Sequence, residues 1–409
     1  MSTAPHPPDR IPKTTFVGLF VATGTAMLGM GILLPILPPY LKTLGASSLV
    51  VGLVFAGYAT ARGVFGPFIG RISDQYGRKR ILLAGMGLYA LLPLGFTLTG
   101  SVFVIGVLWF LQGAASGMVT PIAQSYVGDI TPPGREGEIM NLFYVGLFGG
   151  IAVGPYLGGY LADNVSMAAP FYTMTASAVV AFVLVVLLVP ESETPAIDGV
   201  GFRKSFSAVL DDLEMRGVLT YIAARGFYRW GFNSFFPVFA IGVVALTKTQ
   251  VGVVLSGYMV AGGLLQYPFG RLADRFPDRR GTFVAIGGVI PALAMFALPA
   301  ARSILVLIGL VVLMGLSSAI ARAGAVAIRT ERGRVHGMGA VTGAFTAALS
   351  AGQVFGPVGF GGIIDVASLR AAFYVGGAVG LVGTALAYWY LTRGAVHAPV
   401  DATPAAQDD

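Results

Sequence analysis

The chain has 409 residues, 55% hydrophobic and only 11% charged, whereas a soluble domain carries about a quarter charged residues. With a mean hydropathy of +0.78, this excludes a soluble globular or disordered protein and leaves an integral membrane one. There is no cysteine and the three histidines (His6, His336, His397) fall in tails or a loop, so neither metal site nor cofactor is expected; the net charge of +7 leaves nucleic acid open until the cations are placed.

Residues 1–12 are rich in proline and are expected to form a disordered tail. The first apolar run, Phe16 to Leu41, is too long for a signal-peptide core and lacks a small-residue cleavage site, so it reads as a membrane span. Charged and Gly/Pro breaks divide the rest into eleven further spans: 50–69, 81–99, 104–126, 139–161, 170–190, 218–240, 251–269, 282–299, 304–328, 337–364 and 371–391. Each can cross most or all of a hydrocarbon core of about 30 Å as a helix. Eighteen Lys/Arg fall in the segments on the side of the N-terminus, and only Lys42, Lys248, Arg302 and Arg370 on the other. That bias predicts a multi-pass protein of the cell (inner) membrane with both termini cytoplasmic, and it accounts for the basic charge without nucleic acid.

The longest polar interruption, 191–217, separates six spans (13–190) from six (218–393). Within it Phe202, Phe206, Val209, Leu210 and Leu213 recur at helical spacing, opposite Lys204, Asp211, Asp212 and Glu214, which predicts an amphipathic linker helix on the cytoplasmic membrane face. Residues 394–409 are expected to be a second disordered tail.

The halves repeat. Gly52-Leu-Val-Phe-Ala-Gly57-Tyr58 returns 200 residues later as Gly252-Val-Val-Leu-Ser-Gly257-Tyr258, and Gly70-Arg-Ile-Ser-Asp74 as Gly270-Arg-Leu-Ala-Asp274. Gly150-x3-Gly154-Pro155 returns 202 residues on as Gly352-x3-Gly356-Pro357, and Asp163 as Asp365. Six spans per repeat give the two copies the same orientation, as in transporters built from two parallel bundles.

The loop Gly70-Arg-Ile-Ser-Asp74-Gln75-Tyr76-Gly77-Arg78-Lys79-Arg80 resembles the signature loop of the major facilitator superfamily. The resemblance implies that Gly70, Asp74, Gly77 and Arg78 latch the halves on the cytoplasmic side, with Gln75 departing from the usual cation. The second copy keeps Asp274 and Arg275 but has Pro277-Asp278 for Gly-Arg. Gly150, Gly154 and Gly158 share one helix face, so a neighbouring helix can approach closely, and Pro155 permits a bend. With Gly159, this run is similar to the hinge motif of the drug-exporting branches; Gly352, Gly356 and Pro357 repeat it. Gly29-x-Gly31-x3-Pro35-x-Leu37-Pro38-x-Tyr40 is likewise similar to the first span of twelve-span drug exporters. Trp109 stands where proton-coupled exporters commonly carry a buried arginine, so their proton step does not carry over.

All 19 acids fall in tails, loops or helix ends, whereas Arg62, Arg225, Arg229 and Arg322 are intramembrane. Burying an arginine costs at least about 2.5–3.5 kcal/mol on insertion scales, so such residues face cavities or snorkel to the interface. Snorkelling stays open for Arg62, Arg225 and Arg322; Arg229 is the deepest and, helped by Arg225, is the choice for the substrate's polar contact. Tyr228, Trp230, Asn233 and Phe236 surround it, and Tyr58, Gln112, Tyr258, Gln266 and Gln353 are further polar cavity candidates.

The expected fold is all-α and integral to the membrane: a major facilitator fold of two pseudo-symmetric six-helix bundles with a cytoplasmic linker helix. The expected function is secondary active export of amphiphilic small molecules or drugs by alternating access, by a monomer whose partners are the substrate, the bilayer, and protons or a counter-transported anion. The alternative is an organic-anion transporter or exchanger that uses the intramembrane arginines. A non-transporting scaffold or receptor would need neither the loop nor the glycine face. No enzyme is expected, since no catalytic triad, histidine cluster or carboxylate pair is present; Gly337-x-Gly339-x3-Gly343 has no strand before it to make a dinucleotide loop.

Overall fold

The computed structural model describes residues 12–132, 135–191 and 202–396. In chain order the first half contains α1 (Lys13–Leu33), α2 (Leu37–Thr43), α3 (Ser48–Tyr76), α4 (Arg78–Thr97), α5 (Val102–Asp129), α6 (Glu136–Asn164) and α7 (Ala169–Leu188). Next come α8 (Phe202–Asp211), α9 (Leu213–Gly242), α10 (Lys248–Leu264), α11 (Gln266–Arg275), α12 (Arg280–Ala297), α13 (Ile304–His336), α14 (Met338–Val366) and α15 (Leu369–Val396). Together α1 with α2, and α10 with α11, each make one pass, so the described residues cross twelve times. Eleven passes are long and apolar enough to span by composition; α9, which carries Arg225 and Arg229, stands outside that set.

Proline placement explains two departures from the expected spans. The first span, expected to be continuous over 16–41, breaks at Leu34–Ile36, where Pro35 and Pro38 have no N–H to continue the ladder. The eighth, expected over 251–269, breaks at Leu265, because Pro268 cannot bond the carbonyl of Leu264 four residues back. By contrast, α6 and α14 run unbroken through Pro155 and Pro357. The tenth span runs to His336, eight residues beyond its expected end, and stops at Gly337, whose φ of +93° suits glycine. Ion pairs Arg280–Glu331 and Arg332–Glu214 brace that extension.

The linker helix is shorter than expected. It ends at Asp211, and Asp212 turns extended so that its side chain caps α9 by accepting from the Met215 N–H. Leu213 and Glu214 therefore belong to α9, and Val209 packs with Met215, Val341 and Ala344 at the base of the second half. Both expected tails lie outside the described residues, except Pro12 and residues 394–396, the latter being the last three of α15.

The halves pack alike. In the first, α1 packs on α6 and α7, α5 on α3 and α4, and α4 on α7; in the second, α9 packs on α14 and α15, α13 on α10 and α12, and α12 on α15. Two equivalent pairs cross between halves, α6 with α10 and α14 with α3. At the end bearing the N-termini of α3 and α10, here called the charge-poor end, one core is shared: Leu37, Phe55 and Trp109 join Phe236, Val251 and Phe360. Towards the basic end the cores separate, one around Leu82, Val119 and Phe143, the other around Tyr221, Val284 and Ala325.

Candidate functional site

Helical spacing puts Arg225 and Arg229 one turn apart on α9, whose small neighbour Gly226 lets α14 approach at Gly352. Across from them α10 presents Tyr258, Met259, Gly262 and Gly263, and α13 presents Ser318 and Arg322. Phe148 and Ile151 of α6 close the far wall, so the cavity, of about 80 Å³, lies on the seam between the halves. It has room for several waters or one polar head group, less than the roughly 300 Å³ of a drug-sized pocket.

Five of the expected residues are brought together here. Arg225, Arg229, Arg322 and Tyr258 line the cavity, and Gln266, placed at the start of α11 by the Pro268 break, accepts a 3.0 Å hydrogen bond from Arg322. The Arg229 guanidinium lies 5.6 Å from the Tyr258 ring centroid, a cation–π distance, and that of Arg322 lies 5.9 Å from Phe148. Nε and Nη2 of Arg225 and Nε of Arg229 meet no acceptor among the described residues. Arg225 is 5% exposed, so it is buried in the helix packing and does not snorkel. Arg322 lines both this cavity and a second, of about 540 Å³, that opens towards the basic end beside Arg280 and Arg334.

Other candidates lie elsewhere. Tyr228 packs against Gly380 of α15 and Phe236 against Phe232, both inside the second half. Asn233 is buried one turn beyond Arg229, Trp230 is half-buried, and neither lines the cavity. Tyr58 stacks on Trp109 at 4.8 Å in the first half, and Gln112 is buried one turn further along α5, its amide without a hydrogen-bond partner among the described residues. Arg62 and Gln353 are half-buried outside the cavity. Ser318, Phe148 and Ile151 were not expected, although Ser318 stands one turn before Arg322 and the other two sit on the glycine-rich span.

The signature loop is tied within its own half. Arg78 meets Asp129 at 2.7 Å and Asp74 at 3.6 Å, and the Lys79 N–H donates to Glu191 at 3.1 Å. Asp74 is thus one of several carboxylates there; Asp129 and Glu191 join it from distant sequence. Gly77 combines a φ of +98° with a Glu191 carboxylate where a Cβ would sit, whereas Gly70 has open space beside it. In the second copy Arg280 stands 202 residues after Arg78 and pairs with Glu331, 202 after Asp129. The repeat therefore survives through Arg280, while Asp274 lines the basic-end cavity and Arg275 lies 5.9 Å from the Phe276 ring.

The glycine face also resolves into two roles. Side chains at Gly150, Gly154 or Gly158 would strike the backbone of α1 at Gly24, Gly31 or Ile32, inside the first half; Gly352 and Gly356 meet α9 in the second. This face packs helices together inside each half and does not lie between the halves. The seam is made instead by Gly159 against the Lys248 backbone and Gly252 against the Pro155 carbonyl, mirrored by Gly361 against Ser48 and Gly52 against Pro357. Beyond these glycines Asp163 accepts from the Thr249 N–H at 2.7 Å and from Lys248 at 3.2 Å. Asp365 accepts from the N–H groups of Ser48 and Leu49, both at 2.8 Å. Each carboxylate caps the first turn of a helix from the opposite half, where exposed N–H groups and the helix dipole favour an anion.

The model of the Major Facilitator Superfamily matches residues 19–246 and 218–407. An uncharacterized MFS-type transporter of Methanocaldococcus jannaschii is 26% identical over 389 residues, 94% of this chain and all of that protein. The quinolone resistance protein NorA of Staphylococcus aureus is 26% identical over 368 residues, 88% of this chain and 92% of its own. Among solved structures, a bacterial homolog of the human lysosomal transporter Spinster, inward-facing and unoccupied, superposes with a TM-score of 0.81 at 14% identity, covering 95% of this chain and 98% of that one. The human organic anion transporter MFSD10 (TETRAN) gives 0.65 at 18% identity, covering 92% and 99%.

Proposed function

The chain belongs to the major facilitator superfamily, and from that premise we propose that it is a secondary active exporter of amphiphilic small molecules, working by alternating access as a single chain in the cell membrane. The observation that carries the reading is the asymmetry of the seam: a shared core and two carboxylate caps at the charge-poor end, separate cores at the basic end. With the basic end taken as cytoplasmic, this is a state closed to the outside. The glycine-packed faces keep each half rigid, so the halves rock about Gly159–Gly252 and Gly52–Gly361, and opening outwards must release both caps. Export is favoured over import by the glycine-proline run of α6 and by the 26% identity to a protein named for quinolone resistance.

Counterflow tests the proposal. Proteoliposomes preloaded with an unlabelled fluoroquinolone should transiently accumulate the labelled compound above its equilibrium level, and those with an oppositely directed proton or anion gradient should accumulate it longer. Protein that equilibrates neither this compound nor any member of a panel of amphiphiles is no transporter of that class.

A further inference from the structure

Three guanidinium groups from two helices, Arg225 and Arg229 of α9 and Arg322 of α13, line one cavity whose lining includes no carboxylate. Arginine stays protonated in proteins, so the three charges repel one another and none can be shed as a proton. Their partners among the described residues only partly satisfy them: a neutral amide for Arg322, a ring face for Arg229, and nothing for Nε and Nη2 of the 5%-exposed Arg225. Elsewhere the buried cation Arg78 is given two carboxylates. The contrast marks the seam cavity as a place built for an anion that arrives from outside the protein.

We propose that this cavity binds the oxyanion head of an amphiphile, and holds a doubly charged phosphate or phosphonate head more tightly than a singly charged sulfate or carboxylate. This rests on the exporter reading for the direction of movement and adds the class of cargo. The planar fork of arginine matches an oxyanion with paired N–H groups, and a desolvated site makes each such bond charge-assisted. Size agrees, since about 80 Å³ takes a head and not a body. Phe148, Ile151 and Met259 supply an apolar wall for the chain that follows the head. There is also a route: Arg322 faces the 540 Å³ basic-end cavity, which is lined by Arg280 and Arg334 together with Asp274 and Glu331, the last paired with Arg280. Because Phe148 and Ile151 belong to the first half and the arginines to the second, a bound amphiphile would touch both sides of the seam, its head on the arginines and its chain on the apolar wall.

The test is a binding titration on purified protein in phosphatidylcholine nanodiscs, read by calorimetry and corrected against empty nanodiscs. Octyl phosphate at pH 8, mostly dianionic because its second pKa is about 6, is compared with octyl sulfate and octyltrimethylammonium. Octyl phosphate should bind tightest, and Arg225→Gln, Arg229→Gln and Arg322→Gln should each weaken it about tenfold. Arg229→Lys should recover part of that loss, and Arg302→Gln, which removes an exposed charge in the loop before α13, should change nothing. Inorganic phosphate and phosphatidate in the disc serve as competitors: displacement by the first assigns the head to a soluble anion, by the second to a lipid. Should variants misfold, the wild-type ranking alone decides. Equal affinity for octyl phosphate and octyltrimethylammonium, or octyl phosphate binding unchanged in folded Gln variants, would overturn the site. Arginine-dependent binding without counterflow would keep the site and remove the exporter; counterflow indifferent to the arginines would do the reverse.

Discussion

Asp212 ends the influence of one helix and begins another. Its carboxylate accepts from the Met215 N–H at 3.0 Å and meets His336 at 2.8 Å and Arg332 at 3.6 Å. Burial pushes its pKa up, but the bonds from Met215 and His336 and the Arg332 charge outweigh that and hold the carboxyl below its usual value. The folded group is therefore a stronger acid than the unfolded one, near 3.9. The stability it contributes is complete above that pH and is lost as pH falls through the lowered folded value. Asp212→Ala should cost roughly 1–2 kcal/mol through the lost cap alone. Melting in detergent at pH 7 should fall by a few degrees, and the gap to wild type should close as the pH drops below about 4. Asp212→Asn should fall between, since it keeps a capping oxygen and loses the charge. Identical melting of Asp212→Ala and wild type at pH 7 would remove this residue from the accounting.

Small residues at the element scale do two jobs that look the same in one dimension. Gly154 lets α6 lie against α1 within a half, and Gly252 lets α10 lie against α6 across the seam. A leucine at either position meets backbone, which cannot move aside as a flexible side chain can. Gly154→Leu should therefore lower the yield and melting temperature of the protein while leaving the seam closed in the molecules that fold. Gly252→Leu should leave the halves intact and part them at the charge-poor end. The chain has no cysteine, so a single reporter at Ser48→Cys can distinguish the two. Ser48 is 3% exposed, and its maleimide labelling should speed up in Gly252→Leu and not in Gly154→Leu. Equal labelling in both backgrounds would mean that the Gly252 contact does not hold the seam.

At the scale of the whole molecule, the two carboxylate caps make the closed end nearly symmetric. Asp163 reaches from the first half to α10, and Asp365 from the second to α3. Each presents a charge to two or more donors of a helix N-terminus, bonds worth about 1.5–3 kcal/mol each before solvent exposure reduces them. Asp163→Asn and Asp365→Asn should each shift the population towards an arrangement open at the charge-poor end by roughly the tenfold that 1.4 kcal/mol brings. The sites do not share partners, so the double variant should approach the product of the singles. Spin labels on the N-termini of α3 and α14's outer end report the distribution directly. A double variant no more open than either single would mean that one cap alone bears the closure.

Much of this was readable in one dimension because membrane spanning is decided locally. Twenty apolar residues cross a bilayer whatever their neighbours, so twelve passes, their repeat at 200–202 residues and the two-sided charge bias followed from the sequence. Arg225 and Arg229 stood out for the same reason: a charge in hydrocarbon is costly wherever it later packs. What a residue does to its helix was less local. Pro35 and Pro268 lie at breaks in their spans while Pro155 and Pro357 lie inside unbroken helices, so a proline alone does not decide where a helix ends. The pairing of Arg78 with Asp129, of Asp212 with His336 and of Asp163 with Thr249 joins residues 51 to 124 positions apart, and no periodicity encodes such distances. The gathering of Arg322 and Gln266 with the α9 arginines, and the exclusion of Arg62, Tyr228 and Gln353, likewise depended on which helix faces met. Composition set how many passes there are; the packing of small residues against backbone decided what each one faces.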